Sequence, residues 1–259
     1  MRRVLPKKYL GQHFLKDKNV AIDIINKLDV HENGNVLEIG PGMGMLTQFL
    51  IKKQINLKVI EIDNESISYL KSHYPSIKDS IIHGDFLQFN LDSYYNKASL
   101  SIIGNFPYNI SSQILFKAFE NRNVITQVVG MFQKEVAERI ASVNKVKKGI
   151  LSILMTTFYD IEYCFDVDKN LFSPSPKVES GVIKLTRNKR KSLECDEKLF
   201  IDIIKTSYNQ RRKTLRNALK SFSLESDLAL KKLLELRAEQ LEVKDFIRIT
   251  QHVEKKRNR

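Results

Sequence analysis

An α/β fold is predicted by three observations. Short apolar segments alternate with segments of helical periodicity over the first two thirds of the chain, a glycine-rich loop ends the first apolar segment, and carboxylate or amide residues stand where the next three end. Taken in order, the spacing of Val20, Ile24, Ile25 and Leu28 predicts a helix over Asn19–Leu28. Strands are predicted over Val36–Ile39, Leu57–Ile62, Ser80–His83, Leu100–Ile103 and Gln127–Phe132. Between and after them fall helices over Met45–Lys53, Asn64–His73, Ser111–Phe119, Gln133–Ser142 and Ile150–Phe158. A last pair, Ile161–Val167 and Gly181–Thr186, is expected to run antiparallel at the sheet edge. Short loops and β–α order give a doubly wound sheet, whose ligand crevice lies beyond the carboxyl ends of its strands.

The pattern changes at Arg187–Asp196, where Arg187, Lys189, Arg190 and Lys191 interrupt the apolar rhythm and no strand signal follows. Glu197–Tyr208, Thr214–Phe222, Ser226–Leu234 and Val243–Val253 then read as helices. The predicted organisation is a basic, mobile arm over 1–10, the sheet domain over 11–188 and a small all-helical domain over 189–259, ending in a basic tail at Lys255-Lys256-Arg257-Asn258-Arg259.

Composition narrows the function classes. With 259 residues, 42% of them hydrophobic, the chain can bury a core of its own. No apolar run approaches the roughly 18 residues of a membrane span, and Met1-Arg2-Arg3 leads into Pro6-Lys7-Lys8 rather than an apolar signal core, so a soluble cytoplasmic protein with no membrane partner is expected. Cys164 and Cys195 have no C-x-x-C spacing and no neighbouring His, which argues against a zinc site or disulfide framework. The 43 Lys and Arg against 30 Asp and Glu leave a net charge of +13. A polyanionic partner accounts for that excess through counterion release, and a lysine-rich proteome accounts for it equally well.

The segment Glu38-Ile39-Gly40-Pro41-Gly42-Met43-Gly44 falls where the first strand turns into the next helix. Glycines there, Gly40 and Gly42 foremost, let the backbone approach a ligand and adopt positive φ. Such a loop serves a dinucleotide or S-adenosylmethionine, but Pro41 and Met45 fit the dehydrogenase pattern poorly. Glu61 ends the second strand about 20 residues later, the position from which a carboxylate accepts from ribose hydroxyls. Asp63 suits the cap of the following helix. Asp85, at the end of the third strand, could accept from an adenine amine or simply form a turn.

Gly104-Asn105-Phe106-Pro107-Tyr108 is the most informative segment. An exocyclic adenine amine has its lone pair delocalised into the ring, so it must be oriented and rehybridised before it attacks a methyl group. Asn105 and the backbone fixed by Pro107 supply acceptors for its two protons, and Tyr108 supplies an aromatic face. In isolation these residues also make an ordinary Asn-Pro turn over a buried tyrosine.

On these motifs, together with Leu10-Gly11-Gln12-His13-Phe14-Leu15, Val59–Asp63, Gln133-Lys134-Glu135-Val136 and Phe172–Val178, the chain resembles the KsgA/RsmA family of ribosomal RNA adenine dimethyltransferases along nearly its whole length. The resemblance implies a Rossmann-like class I methyltransferase domain with a small helical domain behind it. Implied too are S-adenosylmethionine as methyl donor, no metal, and dimethylation of N6 on two adjacent adenosines near the 3′ end of 16S ribosomal RNA in the immature 30S subunit. His13 and Leu15 would border the cofactor, Gly40 would approach it by backbone, Glu61 would hold the ribose and Asp85 the adenine. Asn105 would meet both the methionine end and the target amine. His13 stands where some members carry Asn, and Phe106 where Leu is more usual. Phe172, before Ser173-Pro174, would face Tyr108 and sandwich a flipped adenine, at about 1–3 kcal/mol per stacked base.

Arg211, Arg212, Lys213 and Arg216 place four cations within six residues and are expected to bind RNA phosphates, with Lys145, Lys147 and Lys148 as an extension or as a plain exposed loop. The protein is expected to act as a monomer. Two rival readings stand beside this one, a ribosome-assembly binding factor with secondary catalysis and a resistance-type methyltransferase of large-subunit RNA. Phe172–Val178 and Gln133–Val136 look more like the small-subunit enzymes.

Overall fold

Seven strands form one mixed sheet in the computed structural model, which describes residues 4–96, 98–144, 147–222, 224 and 230–257. They are β2 (Asn35–Ile39), β3 (Asn56–Glu61), β4 (Ile81–His83), β5 (Leu100–Asn105), β6 (Ile125–Gln133), β7 (Tyr159–Val167) and β9 (Ser180–Arg187), in the order β4-β3-β2-β5-β6-β9-β7. The first five are parallel, β9 runs antiparallel to β6, and β7 forms the edge beside β9. The order reverses between β2 and β5, so a crevice opens beyond their carboxyl ends, where the Gly40 loop and Asn105 lie. In register, Glu38 stands between Val59 and Ile103. Val36, Leu37, Ile102 and Ile103 are fully buried, as central parallel strands covered on both faces require.

Between the strands lie α1 (Lys18–Asn26), α2 (Thr47–Leu50), α3 (Asn64–His73), α4 (Leu91–Tyr95), α5 (Ser111–Glu120) and α6 (Lys134–Ala141). Asp17 caps α1 by accepting from Val20 N, and Asp63 caps α3 by accepting from Glu65 and Ser66 N, which is the role its position suggested. α2 is much shorter than the predicted Met45–Lys53. Its flanking residues Leu46 and Ile51 keep right-handed helical angles, and Gln48 N donates to Gly44 O at 3.0 Å, so the predicted ends are single turns beside the regular helix rather than part of it.

Two residues on each side make a second, small sheet that periodicity could not reveal. β1 (Phe14–Leu15) pairs antiparallel with β8 (Phe172–Ser173), setting Phe14 opposite Ser173 and Leu15 opposite Phe172. The segment before β1 is not the free arm that was expected. Val4 is buried, Lys8–Leu10 form one 3₁₀ turn, and Lys7 is ion-paired with Asp63 and Glu65 while its N–H donates to Gln12 Oε1 at 2.8 Å. Residues 1–3 lie outside the described residues.

The chain divides into two units, Met1–Ala141 with Asp160–Arg187, and Ser142–Tyr159 with Asn188–Arg259. The second unit contains α7 (Ile150–Phe158), which the sequence reading placed with the sheet, together with α8 (Glu197–Asn209), α9 (Leu215–Ala218), α10 (Lys231–Leu234) and α11 (Val243–Arg257). α7 packs on α8 and α11, burying Ile153, Leu154, Met155 and Phe158. Asp196 caps α8 by accepting from Leu199 N at 2.6 Å, and Phe200, Ile203 and Phe246 are fully buried. The predicted helix Thr214–Phe222 is α9 followed by a 3₁₀ turn, Lys220–Phe222. Of the predicted Ser226–Leu234, residues 226–229 lie outside the described residues, as do Asn258 and Arg259 of the tail. No helix among the described residues is long and apolar enough to cross a membrane.

Candidate active site

A cavity of about 440 Å³ occupies the crevice, lined by Leu10–Leu15, the Gly40 loop, Glu61, Asp85–Leu87 and Asn105–Ile110. Of the sequence-predicted residues it gathers His13, Leu15, Gly40, Gly42, Glu61, Asp85, Asn105, Pro107 and Tyr108 in one place.

At the cofactor end the Glu61 carboxylate is almost entirely buried and accepts three backbone N–H groups. Oε2 takes Gly42 N at 3.0 Å, and Oε1 takes Ile62 and Asp63 N, each at 2.9 Å. Burial raises its pKa and these donors oppose the rise. Because Oε2 carries only the Gly42 contact, it keeps acceptor capacity toward the cavity. Gly42 needs to be glycine twice over, since its φ is 55° and a Cβ there would lie 2.8 Å from the Phe14 ring. Asp85 caps the 3₁₀ turn Phe86–Gln88, its Oδ1 accepting from Leu87 N at 2.9 Å, which leaves Oδ2 for a ligand amine.

Glu38 is a lining residue that sequence reasoning passed over as part of the first strand. It is 1% exposed and accepts from Thr47 Oγ1 at 2.7 Å. Burial pushes its carboxyl from the ordinary 4.5 up to about 8, Thr47 opposes the shift, and the Glu61 charge adds to it. The sign of the consequence follows from linkage. A raised folded value means the fold prefers the neutral acid, so the stability it contributes is full below pH 4.5 and is lost as pH climbs through about 8. Glu38→Gln, neutral throughout, is therefore expected to melt a few degrees above the parent beyond pH 8 and to converge with it near pH 4.5, as read by calorimetry without ligand. Equal offsets at both pH values would contradict a buried neutral Glu38.

At the other end, Asn105 Nδ2 donates to the His13 carbonyl at 2.8 Å. That contact assigns the amide, leaving Oδ1 as the acceptor. Phe106 is the anchor of the loop. It is 1% exposed, meets Phe132 edge-on at 5.3 Å, and lies over Gly104 and Gly130, where an added Cβ would come within 2.7 and 2.2 Å of its ring. The Pro107 carbonyl closes the turn by accepting from Ile110 N at 3.1 Å. The Tyr108 hydroxyl shares a 2.6 Å hydrogen bond with buried Ser180 Oγ, and burial raises its pKa. Its ring stacks on the His13 ring at 5.6 Å and 30°. His13 Nδ1 lies 2.8 Å from the Pro174 carbonyl, which only accepts, so Nδ1 carries the proton.

Phe172 does not join the cavity. It is 2% exposed and packs in the apolar cluster with Leu15, Met131 and Val182, because pairing of β8 with β1 turns its side chain into the core. In this conformation the ring facing Tyr108 is that of His13, not Phe172. Among the described residues no group of three His, Cys, Asp or Glu could hold a metal, and neither cysteine forms a disulfide.

In the helical unit Arg211, Arg212 and Lys213 are exposed in the turn between α8 and α9. Arg216 is not free like its neighbours. Its Nε and Nη2 fork onto Glu235 Oε1 at 3.0 and 2.6 Å. Lys147 pairs with Glu239 at 2.6 Å, and Lys145 lies outside the described residues.

The family model described as ribosomal RNA adenine dimethylase matches residues 5–255. The chain is 52% identical over 255 residues to a ribosomal RNA small subunit methyltransferase A of Flavobacterium johnsoniae, covering 98% of each. It is 53% identical over 253 residues to the protein of that name from Cytophaga hutchinsonii, covering 96% of this chain and 98% of the relative. A solved dimethyladenosine transferase from Plasmodium falciparum superposes with TM-score 0.77 at 25% identity, over 94% of this chain and 98% of that one. The fold also matches the 23S rRNA methyltransferase ErmE, with TM-score 0.71 at 20% identity, over 93% and 99% of the two chains.

Proposed function

The chain belongs to the ribosomal RNA adenine dimethylase family, and from that premise we propose that it dimethylates N6 of two adjacent adenosines near the 3′ end of 16S ribosomal RNA. It acts as a monomer, in the cytoplasm and without a metal, on the immature 30S subunit. The curated relatives quoted above bear the small-subunit name, which favours this substrate over large-subunit RNA. The single observation that carries the chemistry is the hydrogen bond from Asn105 Nδ2 to His13 O, because it presents Oδ1 as an acceptor at the end of the cavity.

The lining fits S-adenosylmethionine. Glu61 Oε2 accepts from the ribose, Asp85 Oδ2 from the adenine amine, and the Gly40–Gly42 backbone admits the ligand closely, with Leu15 at its border. When bound, the cofactor supplies an electrophilic methyl group on a sulfonium. Asn105 Oδ1 and the Phe106 carbonyl, held by Pro107, accept the two N–H groups of the target amine and draw its nitrogen toward sp³ geometry. Tyr108, its hydroxyl tied to Ser180, offers a fixed ring face to the flipped base. Such placement contributes up to about 7–11 kcal/mol of barrier reduction. Each transfer would form one N–C bond as one S–C bond breaks, the bonding pair staying on sulfur as a neutral thioether leaving group, and the nitrogen gives up one proton to solvent. After the second, no N–H is left for Asn105, so the dimethylated base loses its hold and the reaction stops. Arg211, Arg212 and Lys213 bind RNA phosphates, and Arg216 joins them by exchanging Glu235 for phosphate.

Incubation with labelled S-adenosylmethionine and separate under-methylated small and large subunits tests the reading. Label on two neighbouring small-subunit adenosines is expected, and label confined to the large subunit would overturn it. A protein that binds small subunits without heat of cofactor binding would instead be an assembly factor.

A further inference from the structure

We infer that Lys117 is a positioning residue for the adenine end of the cofactor site, holding the Asp85 turn to the same helix that supports the Asn105–Tyr108 loop. The inference rests on the assignment of Asp85 to the adenine amine.

The geometry is specific. Lys117 lies in the last turns of α5, and its Nζ donates to the Leu87 carbonyl at 2.8 Å and the Phe89 carbonyl at 2.7 Å. The same ammonium sits 5.3 Å from the centroid of the Phe86 ring, which is 3% exposed. Asp85 Oδ1 holds Leu87 N at the front of this turn, so the turn is capped by Asp85 at its start and by Lys117 at its end. Asp85, Phe86 and Leu87 all line the cavity. At the other end of α5, Ser111 Oγ donates to the Tyr108 carbonyl at 3.2 Å. One helix thus holds the loop that faces the target base and the turn that faces the cofactor base.

A charge is suited to this place for a physical reason. Two carbonyls at the end of a short helical turn present partial negative charge to one point, and a cation there satisfies both at once. Burial lowers the Lys117 pKa while the charges of Asp85 and Glu120 raise it, so a half-buried lysine is held in place by its partners rather than by water. Without it the turn keeps its Asp85 cap and its own backbone bonds, Gln88 N to Asp85 O and Phe89 N to Phe86 O, but loses its tie to α5, so the free oxygen of Asp85 is less firmly held relative to the Asn105–Tyr108 loop.

The test is steady-state kinetics on under-methylated small subunits. Lys117→Met keeps the apolar stem and removes the donors. It is expected to raise the KM for S-adenosylmethionine about tenfold with kcat little changed, the signature of lost uniform binding. It should also shrink, by a similar factor, the preference for S-adenosylhomocysteine over its 6-oxo purine counterpart as inhibitors, because that preference reads the Asp85 contact. Lys117→Arg should restore both. Asp85→Ala is the control that separates the two claims. If it erases the preference and Lys117→Met does not, the role of Lys117 is overturned and the Asp85 assignment stands. If Asp85→Ala leaves the preference intact, the Asp85 assignment fails and the inference with it. A rise in KM with unchanged preference and a lowered melting temperature would mean that Lys117 only stabilises the fold, which also overturns the inference.

Discussion

Asn105→Ala is expected to lower methyl transfer to under-methylated small subunits by a factor on the order of 10²–10³, with RNA affinity essentially unchanged. The variant removes the amide proposed to orient the amine, and it removes nothing from the exposed cations of the helical unit. Because Asn105 Nδ2 also holds the His13 carbonyl, the loss has two sources. Asn105→Asp separates them. The aspartate retains acceptors for the target amine but has no donor for His13 O, so activity between those of the parent and the alanine variant is expected. Methyl incorporation and filter binding on the same preparations provide the measurement. Unchanged turnover in the alanine variant would remove the proposed chemistry.

Gly130→Ala is expected to have a comparably large effect from outside the cavity. A methyl group on residue 130 would lie 2.2 Å from the Phe106 ring, which is buried and already packed edge-on against Phe132 at 5.3 Å. The ring must move, and overpacking of this kind costs about 1–3 kcal/mol of stability. More serious for function, Phe106 is the link between Asn105 and Pro107, so its displacement carries both along. Misplacement by about 1 Å can reduce rate by a factor near 10². The double variant Gly130→Ala, Phe106→Leu gives the smaller side chain room and is expected to recover most of the activity. Failure of the second change to rescue the first would show that the glycine serves strand geometry rather than the loop above it.

The two glycines illustrate what the sequence could and could not disclose. Gly130 stands inside a predicted strand, where glycine weakens the strand and signals that another group approaches closely, whereas Gly104 reads as the start of the loop and proves to lie in β5. That the group is Phe106 depends on the pairing of Gly104 with Gly130 across β5 and β6, which no local pattern records. The strands themselves were legible because short apolar runs recur in alternation with helical segments, an order that fits a parallel α/β sheet. That Glu61, Asp85 and Asn105 line one cavity was legible because each stands at or near the end of such a run, where a parallel sheet brings strand ends together. Glu38 was missed because it lies one residue inside its strand and reads as part of it.

The failures have a common cause in long-range contact. β1 and β8 are two residues each, too short for any period, yet their pairing turns Phe172 into the core and brings His13 against Tyr108. The basic segment Pro6-Lys7-Lys8 looked like a free arm because its local composition is that of one. Asp63 and Glu65, more than fifty residues later in the sequence, fix it. α7 is apolar around most of its circumference, so its pattern marked it as buried without saying in which unit. Arg216 is indistinguishable by composition from Arg211 and Arg212 until Glu235 is placed beside it.

A crystal structure with S-adenosylhomocysteine and an RNA fragment carrying the target adenosine would test the arrangement most directly. The account predicts a flipped adenine on the Tyr108 ring, its N6 within hydrogen-bond distance of Asn105 Oδ1 and in line with the cofactor sulfur. A base bound elsewhere, or Asn105 and Tyr108 turned from the sulfur with no space for a purine between, would contradict it.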